Sequence, residues 1–472
     1  MSREPFDRYP RAVRIRRSAR QSVSIEPTRR RPRRVQAPSA PLLLIAGFAL
    51  ASLLGAVVLS LPFSSADGSW TSPVISLFVA TSAVCVTGLT PVDTATHWST
   101  FGQAVILVLV QVGGLGIMTS TTLLFLLFGW RLGIRERLLL SRSLDLGRMG
   151  GIVSLIRRAI IFSFVVEATG VVILTSRFLF DEPLDTALWY GLFHSVSAFN
   201  NAGFDLFGDF SSLTAHDDPV TLVTVATLVL LGSIGFIVVQ DVLDRIQHGD
   251  RLALDSKMVL QATAGLIAVA FLLMLWLEWD GVLAGEGLGG KVLHSGFLAF
   301  GSRTAGFSAV PTADMGDATH FTLLAFMFIG GASGSTAGGI KVGTFAILIA
   351  AAVSTAAGRE HVEANGREIR RADVDRALTL ALSSVVFVFL LTLLLAQTEN
   401  LGFLDIMFEA TSAFGTTGLS TGITPDLDDL SLLLLTLGML IGRLGPLTLA
   451  LALVQRQRPS RRRMAEERVR IG

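Results

Sequence analysis

The chain has a single cysteine, Cys85, and only seven histidines among 472 residues. One cysteine excludes an internal disulfide and a thiol cluster for a metal. The sequence also has no nucleotide-binding fingerprint, no grouped His and Cys residues and no evident pair of buried carboxylates. We therefore expect no enzyme active site and no cofactor bound by this chain.

Charge is scarce as well, since 16% of the residues are charged and 51% are apolar, with a mean hydropathy of +0.60. Soluble domains carry about a quarter charged residues. The apolar residues form long blocks, at 41–62, 101–130, 159–176, 220–239, 258–277, 377–396 and 430–453. About 20 such residues span a bilayer as a helix, so the blocks predict an α-helical membrane protein.

Basic residues are segregated from acidic ones. Of the 39 Lys and Arg residues, 34 lie in five segments, at 1–40, 131–158, 245–257, 359–376 and 456–470. The positive-inside rule places both termini and the three basic loops in the cytoplasm, so the spans come in pairs. The Arg- and Pro-rich segment 1–40 is predicted to be a disordered tail that contacts anionic membrane lipid, and no nucleic acid partner is expected.

Four short segments align without gaps on a single glycine. They read SAVCVTGL at 82–89, SAFNNAGF at 197–204, FGSRTAGF at 300–307 and SAFGTTGL at 412–419. Each follows a moderately apolar stretch of about 12 residues, too short to cross a bilayer and typical of a re-entrant helix. The sequence thus predicts four repeats of an outer helix, a re-entrant pore helix, a glycine turn and an inner helix.

We predict an all-α membrane protein in which these four repeats, with eight spans, surround a central pore. The repeats are predicted at 41–140, 150–245, 256–356 (with a gating loop) and 375–456, between a basic cytoplasmic tail at 1–40 and a cytoplasmic C-terminal tail at 457–472. Irregular backbone survives in hydrocarbon only where it is buried in protein or lines a water-filled cavity. Glycine permits positive φ, so four such turns can direct carbonyls at one axis and replace the hydration shell of a monovalent cation.

The turns VTGL, NAGF, TAGF and TTGL resemble those of the Trk/Ktr/HKT superfamily of potassium transporters, and over 41–456 the chain looks closest to KtrB-type subunits. In that superfamily, glycine in all four turns accompanies potassium conduction. The resemblance implies a K⁺-conducting subunit of a bacterial uptake system, multi-pass in the inner (plasma) membrane. It further implies a homodimer on a cytosolic KtrA-type ring that binds ATP or ADP, and it leaves activation by Na⁺ open.

The resemblance places the K⁺ selectivity filter at the turns, where backbone carbonyls hold the ion. The predicted filter residues are Cys85, Val86, Thr87, Gly88, Asn200, Asn201, Ala202, Gly203, Arg303, Thr304, Ala305, Gly306, Gly415, Thr416, Thr417 and Gly418. Cys85 departs from the family pattern, in which a hydroxyl residue is more usual, but only its backbone is expected near the ion. We expect the Arg303 side chain to brace the filter from behind against a carboxylate such as Glu409.

A run of small residues interrupts the third inner helix and disfavours a continuous helix there. The resemblance identifies this run as a gating loop beneath the filter. It also suggests that Arg443, in the motif GRLGP at 442–446, is an electrostatic barrier, with a buried salt bridge as the alternative. The predicted gate residues are Gly330, Gly331, Ala332, Ser333, Gly334, Ser335, Thr336, Ala337, Gly338, Gly339, Lys341 and Arg443. Glycine clusters in the other inner helices, at 113–116, 232–235 and 442–445, are explained most simply by close helix packing.

Other functions stay open at this point. A tightly coupled Na⁺/K⁺ or H⁺/K⁺ symporter would use the same turns. A non-conducting membrane receptor or scaffold would be favoured by substituted turn glycines, but all four glycines are present. A membrane-embedded enzyme is the least favoured interpretation, because no predicted helix carries a pair of intramembrane His or acidic residues.

Overall fold

The computed structural model describes residues 40–127, 152–249 and 251–445. The two predicted tails, at 1–40 and 457–472, lie outside these ranges, apart from Ala40 at the start of the first helix. Most of the first basic loop and Pro446, the last residue of the GRLGP motif, also lie outside them.

The described chain is mostly helical and forms four successive groups of helices. The first group contains α1 (Ala40–Leu59), α2 (Pro73–Cys85), α3 (Thr94–His97) and α4 (Thr100–Leu127). The second contains α5 (Ile152–Phe178), α6 (Leu184–Phe199), α7 (Pro219–Ile234) and α8 (Phe236–His248). The third contains α9 (Leu254–Leu277), α10 (Leu288–Gly301), α11 (Asp317–Phe328) and α12 (Val342–Ala356). The fourth contains α13 (Arg371–Thr398), α14 (Phe403–Gly415) and α15 (Asp429–Leu444).

One short helix in each group lies at the centre of the structure. These helices, α2, α6, α10 and α14, have 13, 16, 14 and 13 residues. At 1.5 Å per residue they are about 20–24 Å long, less than the hydrocarbon core of a bilayer. Three of these helices carry a fully buried phenylalanine ten positions before the turn glycine: Phe78, Phe193 and Phe408. The C-terminal part of each short helix is therefore buried where its glycine turn begins.

Long helices surround this interior and expose apolar side chains. Phe164 on α5, Leu272 on α9 and Phe389 on α13 are more than half exposed. Within the described residues, three helices are long and apolar enough to cross a membrane, or four if α7 and α8 count as one bent span. The apolar outer surface agrees with a membrane location, while the count of eight spans stays a prediction.

The sequence suggested a continuous second inner helix through the apolar block 220–239, but the structure shows a bent one. It breaks at Gly235, where α7 and α8 meet at 95°. Gly235 has φ 85° and ψ 137°, a conformation that only glycine adopts readily. Gly445, at the end of α15, has nearly the same angles, φ 82° and ψ 136°. Within the described residues, α7 and α15 thus both end at a glycine of the same conformation.

A two-stranded hairpin corrects the all-α prediction. Strands β1 (Glu363–Ala364) and β2 (Arg367–Glu368) pair antiparallel between α12 and α13. Asn365 and Gly366 join them with φ 49° and 72°, as expected for a tight hairpin turn. The Asn365 amide exchanges hydrogen bonds of 2.9 and 3.3 Å with Gln261 on α9. The hairpin is thereby attached to the third group of helices.

Candidate functional site

Each short helix ends in a turn with the same backbone pattern. The residue two positions before the turn glycine has positive φ in every repeat: Val86 at 56°, Asn201 at 59°, Thr304 at 70° and Thr416 at 48°. The turn glycines also have positive φ: Gly88 at 94°, Gly203 at 71°, Gly306 at 74° and Gly418 at 92°. A side-chain-bearing residue in the left-handed region costs about 1 kcal/mol or more. Strain of this kind at four equivalent positions makes the turns the candidate functional site.

The four turns contact one another in a closed ring, here called the turn ring (85–88, 200–203, 303–306 and 415–418). A Cβ built on each glycine would collide with a carbonyl oxygen of the next turn. The distances are 2.5 Å from Gly88 to Ala202, 2.9 Å from Gly203 to Ala305, 2.5 Å from Gly306 to Thr417 and 2.1 Å from Gly418 to Thr87. The contacts run from the first repeat to the fourth and return to the first. Only glycine fits these positions, because real Cβ atoms essentially never approach another heavy atom within 3.0 Å.

Serine hydroxyls of the short helices accept hydrogen bonds from two of the turns. The amide of Gly88 donates to Ser82 Oγ, and that of Gly418 donates to Ser412 Oγ, both at 3.1 Å. The matching position of the third repeat is Phe300, which has no hydroxyl, and there the Gly306 amide bonds to the Gly301 carbonyl at 3.3 Å. The third turn is therefore held differently from the first and fourth.

The glycine clusters of the other inner helices let these helices lie against the short helices. A Cβ on Gly113, Gly232 or Gly442 would lie within 2 Å of a carbonyl oxygen at the end of a short helix, at Val84, Phe199 and Phe414 respectively. Close helix packing, the simplest explanation from the sequence, is thus what these three glycines permit.

The predicted gating run forms a non-helical segment, here called the central loop (329–341), between α11 and α12. Its two ends pair, since the Gly330 amide donates to the Ile340 carbonyl at 2.8 Å. In between, the Thr336 hydroxyl accepts a 2.8 Å bond from Asn201 Nδ2 and lies 3.2 Å from the Phe199 carbonyl. On the other side, a Cβ on Gly338 would lie 2.0 Å from Thr416 Oγ1. The central loop therefore contacts the second and the fourth turns.

Two buried arginines, and the lysine at the end of the central loop itself, donate to carbonyls of the loop. Arg443 donates to the carbonyls of Thr336 and, at 3.0 Å, of Gly113 in the first repeat. Lys341 Nζ donates to the Ala337 carbonyl at 2.5 Å, and Arg303 Nη2 donates to the Gly330 carbonyl at 3.2 Å. Arg303 and Arg443 thus bind the loop to the third turn and the fourth inner helix, and Arg443 also reaches the first repeat.

The expected bracing of Arg303 against Glu409 is wrong, and the described residues do not show the salt bridge that was the alternative for Arg443. Within the described residues, neither Arg443 nor Arg303 has a carboxylate within 4.0 Å, so Arg443 forms no salt bridge there. Arg303 does not brace against Glu409, whose carboxylate instead accepts bonds from Ser420 and Thr424. Arg303 reaches the central loop because its turn lies directly beside Gly330, where a Cβ would meet the Thr304 side chain at 3.3 Å.

A cavity of about 190 Å³ opens on the side of the ring where the chain continues past the glycines. Gly88, Gly203, Gly306 and Gly418 form part of its wall, together with hydroxyl side chains such as Ser308 and Thr312. Asp205, two residues after Gly203, is the one acidic residue among its lining groups in the described part of the chain. The ring is therefore accessible from this side through a polar, weakly acidic entrance.

Sequence reasoning missed a polar network behind the second turn. Asn200 Nδ2 donates to Gln111 Oε1 at 2.8 Å, and Gln111 Nε2 donates to both carboxylate oxygens of Glu167, at 3.0 and 3.1 Å. Glu167 is the one charged residue in the apolar block 159–176, which was the available signal. No group of three or more His, Cys, Asp or Glu residues that could hold a metal occurs in the part of the chain that the structure describes.

An apolar helical shell around a closed ring of glycine turns defines a membrane protein of the cation-transporter class. Residues 57–462 match the family described as TrkH, cation transport protein, and the chain belongs to this family. It is 38% identical to the potassium/sodium uptake protein NtpJ of Enterococcus hirae, over 89% of this chain and 94% of that protein. It is 37% identical to the Ktr system potassium uptake protein B of Bacillus subtilis, over 86% of this chain and 91% of that protein.

A solved structure shares the fold. The potassium transporter TrkH from Vibrio parahaemolyticus superposes with a TM-score of 0.71, covering 90% of this chain and 86% of that one at 19% identity. The observed helical architecture is therefore a TrkH-like fold.

Proposed function

We propose that the chain is the potassium-conducting membrane subunit of a bacterial K⁺ uptake system and that the turn ring is its selectivity filter. The observation that carries the proposal is the closed ring of contacts between turn glycines and carbonyls. Carbonyl oxygens without net charge suit a dehydrated monovalent cation. The relatives from E. hirae and B. subtilis are named as potassium/sodium and potassium uptake proteins.

We further propose that the chain crosses the membrane eight times, with both termini in the cytoplasm. The spans would be α1, α4, α5, α7 with α8, α9, α11 with α12, α13 and α15. Irregular backbone at Gly235 and in most of the central loop is buried in protein, as hydrocarbon requires, while Ser333 is exposed. The basic segments between paired spans then all face the cytoplasm.

The central loop, with Lys341 and Arg443, is proposed as the gate. Its contacts with the second and fourth turns, and its link through Arg443 to Gly113, support this role, because a segment attached to the turns can change access to the ring when it moves. The buried guanidinium of Arg443 adds a positive charge that a cation leaving the ring would meet. Gating would pass to the loop from a cytosolic nucleotide-binding partner ring, on which the subunit would sit as a homodimer.

Growth at low potassium tests the proposal. A bacterial strain that lacks its own K⁺ uptake systems would receive the wild-type chain, Gly88→Ser or Gly116→Ser, each with a ring-type partner. A Cβ on Gly116 meets only Phe48, at 3.6 Å, so this variant is a matched control in the same repeat. We expect rescue by the wild type and by Gly116→Ser, and weak rescue by Gly88→Ser because its side chain meets the Ala202 carbonyl.

The potassium assignment fails if the wild type gives no rescue while the protein is present in the membrane. Equal rescue by Gly88→Ser and Gly116→Ser would leave potassium uptake standing but remove the ring as its filter. Adding Na⁺ to the same cultures tests sodium stimulation, which the name of the E. hirae relative suggests.

A further inference from the structure

A carboxylate lies buried in the middle of the outer helix α5. Glu167 is 3% exposed and has no Lys, Arg or His partner within 4.0 Å in the described part of the chain. An unpaired carboxylate inside a membrane protein is costly and points to a function. Neither the turn ring nor the central loop, as described so far, explains why a carboxylate lies here.

All the side-chain contacts of this carboxylate are N–H donors. Gln111 Nε2 on α4 bonds to both oxygens, at 3.0 and 3.1 Å, and Asn200 Nδ2 bonds to Oε1 at 3.2 Å. A protonated acid needs an acceptor for its own proton, whereas an ionised one accepts at both oxygens. The contacts therefore match the ionised form.

The network ends at the turn ring. Asn200 is the first ring residue of the second repeat, and Asn201, with its positive φ, follows it directly. The Ser195 hydroxyl also donates to the Glu167 backbone carbonyl at 2.7 Å, which fixes α6 to α5. Gly114 leaves the necessary space, since a Cβ there would lie 1.9 Å from Asn200 Oδ1. Glu167 is thus one amide side chain away from the second turn.

The arrangement is specific to one quarter of the ring. The residues that match Asn200 in the other turns are Cys85, Arg303 and Gly415. Cys85 and Gly415 have no side-chain amide, and the Arg303 guanidinium donates to the central loop instead. The negative charge therefore acts from the side of the second repeat.

We propose that Glu167 is a specificity-determining residue of the ion pathway. Its ionised carboxylate supplies a fixed negative charge behind the second turn, and a partly dehydrated monovalent cation in the ring compensates that charge. Gln111 and Asn200 hold the carboxylate in place and couple its position to the turn. This inference rests on the proposed role of the ring in K⁺ conduction.

The test uses the full-length chain, purified and reconstituted in proteoliposomes. K⁺ and Na⁺ fluxes are measured for the wild type, Glu167→Gln, Glu167→Asp and Glu278→Gln. Glu278 is the matched control, because its carboxylate is also buried but accepts bonds from Thr319 and from the amides of Gly316 and Val282. A K⁺-dependent shift in melting temperature, measured in detergent, reports binding without requiring flux.

We expect Glu167→Gln to raise the KM for K⁺ about tenfold, to lower the K⁺/Na⁺ flux ratio and to reduce the K⁺-dependent melting shift. Tenfold is the size expected for one charge acting through a medium of intermediate dielectric constant. Glu167→Asp keeps the charge and should stay within about twofold to threefold of the wild-type KM. Glu278→Gln should keep the wild-type KM and flux ratio.

Three results would overturn the inference alone. The first is a wild-type KM and flux ratio in Glu167→Gln, and the second is an equal loss in Glu167→Asp and Glu167→Gln. The same change in Glu278→Gln would also overturn it, because the effect would then follow from any buried carboxylate. Absence of K⁺ flux in the wild type would instead refute the proposed function, and this inference with it.

Discussion

Replacing Arg443 by Met should open the pathway in the absence of a regulatory partner. The guanidinium donates to the Thr336 carbonyl of the central loop and to the Gly113 carbonyl of the first repeat, so it ties the loop to the opposite inner helix. Met has a similar length but no donor. Movement of the loop away from the ring must break the Thr336 bond in the wild type but not in the variant.

The size of the effect follows from the bond that is lost. A hydrogen bond from a charged group contributes about 1.5–3 kcal/mol, and each 1.4 kcal/mol is a factor of ten in an equilibrium constant. Arg443→Met should therefore raise the open-to-closed ratio about ten- to hundredfold. Removal of the positive charge also lowers the barrier to a cation that leaves the ring, so both effects increase flux.

The assay is K⁺ flux into proteoliposomes that contain the chain alone, normalised to the amount of protein. Arg443→Lys separates the two effects, because it keeps the charge but cannot bridge both carbonyls with a planar fork. Arg177→Met is the matched control, since Arg177 pairs with Asp181 and Asp218 away from the loop. An unchanged or reduced flux in Arg443→Met, in a protein that melts normally, would refute the reasoning.

Three further predictions follow from single contacts. Ser412→Ala removes the hydroxyl that accepts a hydrogen bond from the Gly418 amide, a bond that contributes about 1 kcal/mol. The variant should lower the K⁺/Na⁺ flux ratio several-fold. An unchanged ratio would mean that the turn holds its shape without the serine. Asn201→Ala and Thr336→Val remove the same hydrogen bond, so their effects on flux should be non-additive by about 1 kcal/mol in a double-mutant cycle. Simple additivity would contradict a contact between the second turn and the central loop. Gly366 has φ 72° in the hairpin, so Gly366→Ala should lower the free energy of unfolding by about 1 kcal/mol and the melting temperature by a few degrees. Uptake should not change. A loss of uptake would show that the hairpin takes part in transport.

Features that repeat in the chain could be predicted from the sequence. The turn glycines were found because four segments share one pattern, and each of them proves to have positive φ and to contact the next turn. The break of the third inner helix was predicted because its many glycines disfavour a helix. In both cases the signal is local, since the residues concerned need a particular backbone conformation.

Contacts between distant segments could not be predicted in the same way. Arg303 was paired with Glu409 because opposite charges attract, but the central loop offers Arg303 a nearer carbonyl, and hydroxyls satisfy Glu409. The network of Glu167 with Gln111 joins residues 56 positions apart, and no periodicity links them. The break at Gly235 and the Asn-Gly turn of the hairpin did have local signals, which the long apolar blocks and the short polar loop obscured.

The turn ring is built from one polypeptide, so its four quarters need not be alike. Ser82 and Ser412 support the first and fourth turns, a carboxylate network lies behind the second, and an arginine extends from the third. A channel assembled from four identical subunits would repeat every mutation four times around its axis. In this chain a single substitution changes the sequence of one quarter and leaves that of the other three unchanged, which would let the ion preference of the proposed filter be adjusted in small steps during evolution or by design.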